Sequence, residues 1–198
     1  MKTPILYIIG QPLESLLLQL RKKHPYSYAH SLSVERYASC LARYAVPRWT
    51  RKQFYELSVG ALLHDIGKLR IPNDILNNPG KLSDEDFCAI MMHLEKGIQC
   101  VQEAHLVLSQ ISLDAILHHH EAFRKGVKGY PTGLWSEDIP LAARIVAVAD
   151  IFDALTTERC YKPAMSWNKA CDILLEEAGY KLDPMLVNLF VHIIAQAA

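Results

Sequence analysis

The hydrophobic residues of this chain recur mainly at steps of three and four positions, which is the spacing of one helix face. One such series follows His30 and consists of Val34, Tyr37, Ala38, Leu41 and Ala45. We therefore predict that His30 lies near the start of an amphipathic helix. Strands do not alternate with helices anywhere in the pattern, so the sequence predicts an all-α fold.

Polar residues at fixed offsets predict where two further helices begin. Thr50 followed by Gln53 fits a capping box, and we expect a helix from there toward His64. Ser83 precedes three acidic residues, which predicts a helix N-terminus because acids in the first turn complement the helix dipole. On this basis His93 is predicted to lie about midway along that helix.

The remaining helices are predicted from apolar stretches and from the residues that interrupt them. We expect a helix from about Ser112 to Glu121, a buried helix over 141–157, one ending at Gly179 and one starting at Asp183. The Gly- and Pro-containing stretches are predicted to be loops, and they cover 70–81 and 122–140.

The composition indicates an ordinary soluble domain. The chain has 198 residues, 51% of them hydrophobic, and a formal net charge of zero. Zero charge argues against a nucleic acid polymer as partner, although a local basic cluster suffices for a small anion. We divide the chain into an N-terminal helical extension packed on the domain, residues 1–24, and one domain, residues 25–198.

The cysteines and the apolar segments indicate the compartment. Five scattered cysteines without a Cys-x-x-Cys pair favour reduced thiols over disulfides. The apolar run at residues 5–9 is too short to cross a bilayer. We predict a cytoplasmic protein without a membrane partner.

The doublet His64-Asp65 begins a series of metal-binding residue types at wide intervals. The others are His30, His93, the run His118-His119-His120-Glu121, and Asp150. Imidazole nitrogens and carboxylate oxygens in this number suit a two-metal hydrolytic centre, in which one carboxylate bridges both ions. Side chains of adjacent helical residues diverge by about 100°, so the three histidines cannot all point one way. We assign His118 a structural or supporting role.

Several motifs occur in an order that carries a family resemblance. They are His64-Asp65-Ile66-Gly67-Lys68, His93, His119-His120-Glu121, Gly129-Tyr130-Pro131, the stretch 149–156, and Arg159 with Tyr161-Lys162. This set, over about residues 26–190, resembles the HD-GYP subfamily of the HD superfamily of metal-dependent phosphohydrolases. The resemblance implies a helical HD-domain bundle around a binuclear metal site. It also implies hydrolysis of cyclic di-GMP, or a related cyclic dinucleotide, to the linear dinucleotide or GMP by a metal-bridging hydroxide.

The resemblance also assigns roles to individual residues. The implied ligands of the first metal are His30, His64, Asp65 and Asp150, with Asp65 bridging to a second metal held by His93, His119 and His120. The implied catalytic residues are Asp65 and Lys68, and the implied substrate-binding residues are Lys68, Tyr130, Arg159 and Lys162. We expect two divalent ions per chain. The resemblance favours iron or manganese, while zinc and nickel stay open because N and O donors suit all four.

The chain departs from the subfamily at two places. Tyr26 stands where trinuclear relatives carry a glutamate for a third metal, which is why we expect two. The segment after Glu121 is longer by two residues than usual, and Arg124-Lys125 stands in place of an acid. This basic cluster, which includes Lys128, is either a solvated loop face or a phosphate clamp.

Alternatives remain open at this point. The chain could instead be a cyclic di-GMP-binding or protein-interaction module with little turnover, or an HD phosphohydrolase of another nucleotide or phosphoester. A regulatory partner, for instance of diguanylate cyclase type, and a homodimer are both compatible with the sequence. Residues with two interpretations are Asp153 (acceptor for a ligating imidazole, or simply a polar group of the helix), Arg144 (structural pairing, or substrate) and the stripe Leu13, Leu16, Leu17 and Leu20 (core, or dimer seam).

Overall fold

The computed structural model describes residues 10–78, 80–158 and 163–197, and most of these are helical. The α-helices are α1 (Gln11–Lys23), α2 (Pro25–Ala45), α3 (Arg51–Leu63), α4 (Asn73–Leu76), α5 (Asp84–Met91), α6 (His93–Glu103), α7 (Gln110–His118), α8 (Leu141–Thr156), α9 (Trp167–Glu177) and α10 (Pro184–Ala197). The same described residues include two 3₁₀ helices, Ile66–Arg70 and Ser136–Asp138. Within the described ranges the only strand-like pairing is the single bridge between Ala178 and Leu182, so the all-α prediction is confirmed.

The predicted helix starts are confirmed by their caps. The Thr50 hydroxyl accepts from the Gln53 backbone N–H, and the Gln53 side chain accepts from the Thr50 N–H, which completes the capping box of α3. The Ser83 side chain caps α5 by accepting from the Asp86 N–H. Such caps satisfy N–H groups that the first helical turn leaves without partners.

The main core surrounds α8, which packs against α2, α7, α9 and α10. Phe152 of α8 meets Tyr37 of α2 and Phe190 of α10, each with ring centroids 5.0 Å apart. Alanines on α8 let the neighbouring helices approach closely, since a short side chain keeps the interaxial distance small. The helix is thereby fixed from several sides, and it also carries Asp150 and Asp153.

A second apolar cluster lies between α1, α3, α6 and the first 3₁₀ helix. The leucine stripe of α1 belongs to it, with exposed fractions of 0–4% for Leu13, Leu16, Leu17 and Leu20. The stripe is therefore core packing within the chain and is not available as a dimer seam. The predicted boundary between the N-terminal extension and the domain, after residue 24, stays a prediction. Helix α1 shares this apolar cluster with helices that follow it.

Two sequence predictions about the histidine helices were wrong. His93 does not lie midway along a helix, because α5 ends at Met91 and His93 begins α6. The predicted helix to Glu121 is α7, which ends at His118, so that His119 and His120 follow its end. The predicted loop over 70–81 also contains the single turn α4. In both segments the helix ends where a histidine Nδ1–H donates to a carbonyl oxygen of the last helical turn.

Gly67 allows the first 3₁₀ helix to lie directly against the start of α6. A Cβ atom at this position would stand 1.8 Å from the His93 carbonyl oxygen and 2.5 Å from the Gly97 nitrogen. No side chain fits such a contact, so only glycine allows the backbone after Asp65 to approach His93. The close approach brings the backbone that follows Asp65 next to the backbone of His93.

Some expectations fall outside what the structure describes. Arg159, Tyr161 and Lys162 lie outside the described residues, so their predicted contacts with substrate stay predictions. Among the described residues, no helix is both long and apolar enough to cross a membrane.

Candidate metal centre

Three helices end at one place, and each end is closed by a histidine. The Nδ1–H of His64 donates to Ala61 O at 2.7 Å at the end of α3, and that of His93 donates to Ile90 O at 2.7 Å at the end of α5. His119 does the same at the end of α7, 3.0 Å from Ala115 O and 3.1 Å from Ile116 O. Each imidazole satisfies carbonyls that a helix end leaves without partners.

These bonds fix the tautomer and leave the second nitrogen of each ring available. With the proton on Nδ1, the Nε2 atom carries a lone pair. The Nε2 atoms of His64, His93 and His119 are all buried and have no hydrogen-bond partner. Buried polar atoms are nearly always satisfied, so three orphaned lone pairs in one place match the needs of a bound cation.

Asp65 lies between two groups of donor atoms. One group is His30, His64 and Asp65 and the other is His93, His119 and His120, with the donor atoms of each within 4.8 Å of one another. Asp65 Oδ2 is 3.5 Å from His64 Nε2 and 3.8 Å from His30 Nε2, while Oδ1 is 3.5 Å from His93 Nε2. The two carboxylate oxygens thus face different histidine groups, which is the arrangement of a bridging ligand.

His30 is held between two acids of α8. Its Nδ1 lies 2.6 Å from Asp153 Oδ2, and its Nε2 lies 2.9 Å from Asp150 Oδ1. Asp153 also accepts from the Thr157 hydroxyl at 3.0 Å, which fixes the carboxylate. Asp153 is therefore the acceptor that orients His30, whereas Asp150 sits on the side of the ring that faces Asp65. With an exposed fraction of 2%, Asp153 is a buried acceptor for the His30 imidazole and more than a polar group of its own helix.

The protonation states of four histidines suit metal binding. Burial lowers the pKa of His93 to about 3 and also lowers the pKa of His64, His119 and His120, so these rings are neutral at pH 7. His30 differs: burial alone would lower its pKa, but hydrogen bonds to Asp150 and Asp153 raise it to about 9. His30 is therefore protonated at pH 7 without metal, and it would release a proton on binding one.

The carboxylates are held in the ionised form. Burial would raise the pKa of Asp65, but Lys68 and the imidazoles hold it well below its ordinary value. The pKa of Asp150 is likewise lowered against burial, chiefly by the hydrogen bond from His30. Ionised carboxylates and neutral imidazoles are the forms that bind divalent metals.

Lys68 and Tyr130 flank the two donor groups. Lys68 Nζ lies 2.5 Å from Asp65 Oδ2, one turn along the 3₁₀ helix. The Tyr130 ring lies on the His120 ring, with centroids 4.8 Å apart, and the Tyr130 N–H donates to His120 O at 3.1 Å. Phe87 of α5 meets the other side of Tyr130 edge-on, at 6.4 Å between centroids. Tyr130 and Phe87 thus form a wall beside His120.

Glu121 anchors the Gly-Tyr-Pro loop, a role that sequence reasoning missed. Its buried carboxylate accepts from the Thr132 N–H and hydroxyl and from the Gly133 N–H, at 2.6–2.9 Å. The sequence signal was the acid directly after His120 together with a Thr-Gly pair after Pro131. His118 Nδ1 lies 3.5 Å from Glu121 and belongs to neither donor group, which agrees with a supporting role.

Two other residues have structural partners. Arg144 donates to Ile139 O at 2.9 Å and to Asp183 at 2.7 Å, so it pairs structurally as the first interpretation held. The Tyr26 ring stacks parallel to His30 at 6.0 Å between centroids. A phenol ring thus lies beside His30, and the expectation of two metals stays a prediction.

Comparison with known proteins agrees with this geometry. The HD domain family profile matches residues 12–186. A cyclic di-GMP phosphodiesterase of Vibrio cholerae is 40% identical over 174 residues, covering 82% of this chain and 35% of that protein. The 3′3′-cGAMP-specific phosphodiesterase 2 of the same species is 36% identical over 129 residues, covering 65% of this chain and 24% of that protein.

A solved structure shares the fold. It is an HDG"Y"P protein from Bdellovibrio bacteriovorus, with a TM-score of 0.67 and 25% identity, covering 84% of this chain and 51% of that one. The chain belongs to the HD domain family, and its predicted resemblance to the HD-GYP subfamily is confirmed. It spans about a third of the length of the first Vibrio relative, 35%.

Proposed function

We propose that this protein is a metal-dependent phosphodiesterase that hydrolyses cyclic dinucleotides, with cyclic di-GMP the preferred substrate. The observation that carries the proposal is the convergence of three orphaned Nε2 atoms, of His64, His93 and His119, around the ionised Asp65. The relatives named as cyclic di-GMP and 3′3′-cGAMP phosphodiesterases support the substrate class.

Two divalent ions fit the donors. The first would be held by His30, His64, Asp65 and Asp150 and the second by Asp65, His93, His119 and His120. Bound there, the metals would supply Lewis acidity toward the phosphoryl oxygens and would lower the pKa of a bound water. Iron or manganese is our preferred identity, with zinc and nickel as the other candidates.

The chain's own residues bind and orient the substrate around this centre. Asp65 keeps both donor groups together, since each of its oxygens faces one group. Lys68 donates to Asp65 without metal, and its ammonium would bind the scissile phosphate once metals take over that carboxylate. Tyr130 lines the wall next to His120 and keeps water away from that side.

The finer points follow from the same proposal. Whether the end product is the linear dinucleotide or GMP depends on how readily the linear product is released. Arg159 and Lys162 complete the substrate contacts. A cytoplasmic location, a regulatory protein partner and a homodimer stay predictions.

The test is anaerobic reconstitution with ferrous iron or manganese, followed by metal counting and hydrolysis of cyclic di-GMP on the same sample. We expect about two metals per chain and turnover that is lost in Asp65→Ala. His192→Ala serves as a control, because His192 is an exposed histidine of α10 that hydrogen-bonds Gln196 and belongs to neither donor group. It should keep full activity and metal content.

Other outcomes would assign the site differently. Two bound metals and tight cyclic di-GMP binding without product would indicate the binding-module alternative. Turnover of mononucleotides or other phosphoesters, with cyclic dinucleotides the poorest substrates, would indicate another HD phosphohydrolase activity. Unchanged turnover in Asp65→Ala would contradict the assigned centre.

A further inference from the structure

A small cavity is lined both by candidate metal donors and by two lysines. Its volume is about 70 Å³, and its wall includes His120, Asp150, Lys128 and Lys181. This is several times the ~10–15 Å³ that one water needs, so it has room for a compact group such as a phosphate.

The two lysines come from separate segments that the backbone holds together. The Phe123 N–H donates to Lys181 O at 3.1 Å, and the Arg124 N–H donates to Tyr180 O at 2.9 Å. These bonds join the segment after Glu121 to the turn between α9 and α10. Main-chain contacts thus hold the segment that carries Lys128 next to the turn that carries Lys181, and both lysines line the same cavity.

Both ammonium groups keep donors available for an anion. Lys181 Nζ gives one N–H to Glu177 Oε1 at 3.1 Å, which leaves two of its three. Lys128 Nζ lies 5.4 Å from the centroid of the Phe87 ring, a cation–π contact that uses no N–H. The Glu121 carboxylate in the cavity wall is already bound by Thr132 and Gly133.

We propose that Lys128 and Lys181 form a binding subsite for the second phosphodiester of a cyclic dinucleotide, the one that is not being cleaved. The inference rests on the proposed function, in which Lys68 and the metals hold the scissile phosphate. A cyclic dinucleotide carries two phosphates, and a basic cavity adjoining the metal donors provides a place for the other. The proposal also decides between the two interpretations of the basic cluster. Lys128 binds phosphate, and Lys125 does not.

Lys125 supplies a matched control from the same loop. Its Nζ lies over the Trp135 ring at 4.9 Å from the centroid, and it does not belong to the cavity wall. Lys125→Met removes the same charge from the same exposed loop as Lys128→Met. General electrostatic attraction would make the two variants alike, whereas a subsite separates them.

The experiment compares two substrates on the metal-loaded chain. Cyclic di-GMP has the second phosphodiester, and bis(p-nitrophenyl) phosphate lacks it. We expect Lys128→Met and Lys181→Met each to raise KM for cyclic di-GMP about tenfold, the loss of one charge-assisted contact, with kcat within about twofold. Turnover of bis(p-nitrophenyl) phosphate should not change. Lys181→Arg keeps the positive charge and should therefore have the wild-type KM. Lys125→Met should also have the wild-type KM.

Three results would overturn the subsite: an unchanged KM, an equal loss on both substrates, or the same effect in Lys125→Met. Titration of the metal-loaded chain with cyclic di-GMP on a Lys68→Met background measures binding even without turnover. If the wild type does not cleave cyclic di-GMP, the proposed function fails. The subsite proposal then holds only if Lys128→Met still raises the dissociation constant for cyclic di-GMP about tenfold. An unchanged constant, or no binding at all, would contradict it.

Discussion

Glu121 accepts hydrogen bonds from both the backbone N–H and the hydroxyl of Thr132, at 2.8 and 2.6 Å. The pair joins the end of the histidine run to the loop that carries Tyr130. Because His120 immediately precedes Glu121, the position of the loop and the position of a metal donor are set by adjacent residues. The wall formed by Tyr130 on His120 depends on this connection.

Glu121→Ala should release the Gly-Tyr-Pro loop. The backbone N–H groups of Thr132 and Gly133 lose their buried acceptor, which costs about 2–4 kcal/mol in unfolding free energy. We expect kcat/KM for cyclic di-GMP to fall at least tenfold while about two metals stay bound. Denaturant unfolding, metal counting and steady-state kinetics test this, with the exposed Glu176→Ala as control. Wild-type kinetics with a lower stability would show that the connection has no part in the reaction.

Asp153→Asn should weaken metal binding without removing a ligand. The Asp153 carboxylate orients His30 through a 2.6 Å contact with Nδ1, and changes to such partners typically cost 10–100-fold in metal affinity. Competition with a metal indicator measures the change. Asp172→Asn, at an exposed position of α9, should keep the wild-type affinity. An unchanged affinity in Asp153→Asn would contradict the orienting role.

Metal removal should lower the thermal stability. The three orphaned Nε2 atoms become satisfied only in the metal-loaded protein, so metal binds the folded state preferentially. At a free metal concentration of about 100 times the dissociation constant, the gain is about 2.7 kcal/mol. For a chain of this size that corresponds to an increase in Tm of about 5–11 °C, measured by calorimetry. The same increase in Asp65→Ala would place the stabilising ion elsewhere.

Gly67→Ala should be severely destabilising. Its Cβ would stand 1.8 Å from the His93 carbonyl oxygen, so the 3₁₀ helix would have to move away from α6. We expect a loss above ~4 kcal/mol, or no folded protein. Gly126→Ala is the matched control, because Gly126 has a φ of 85° but no atom within 4 Å of an added Cβ. It should cost only about 1–2 kcal/mol from its backbone conformation, and equal losses in urea unfolding would contradict the steric explanation.

Lys23 should help to position Lys68 by binding the backbone that follows it. Its Nζ donates to the carbonyls of Leu69 and Ile71, both at 2.8 Å, and so fixes the backbone on the far side of Lys68. Lys23→Met should lower kcat several-fold, with metal content unchanged and partial recovery in Lys23→Arg. Lys22→Met, an exposed neighbour on α1, should keep the wild-type kcat. Equal kcat values in the two methionine variants would limit Lys23 to a structural role.

Much of the fold could be predicted from local sequence. The capping box at Thr50 and the cap at Ser83 act within a few residues, so their helices begin where predicted. The predicted position of His93 was wrong because periodicity does not show a helix end that depends on a side chain. The His93 imidazole takes the Ile90 carbonyl, which a continuing helix would offer to the Leu94 N–H.

The sequence by itself determined which residue types are present: enough imidazoles and carboxylates for two metals, glycine at position 67, and helical periodicity almost throughout. Only the tertiary structure decided how these groups act. Contacts between distant segments put Asp153 behind His30 and brought Lys128 and Lys181 to one cavity. The physical reason is range. Periodicity and caps are properties of neighbouring residues, whereas burial, proton position and convergence depend on the packing of the whole chain.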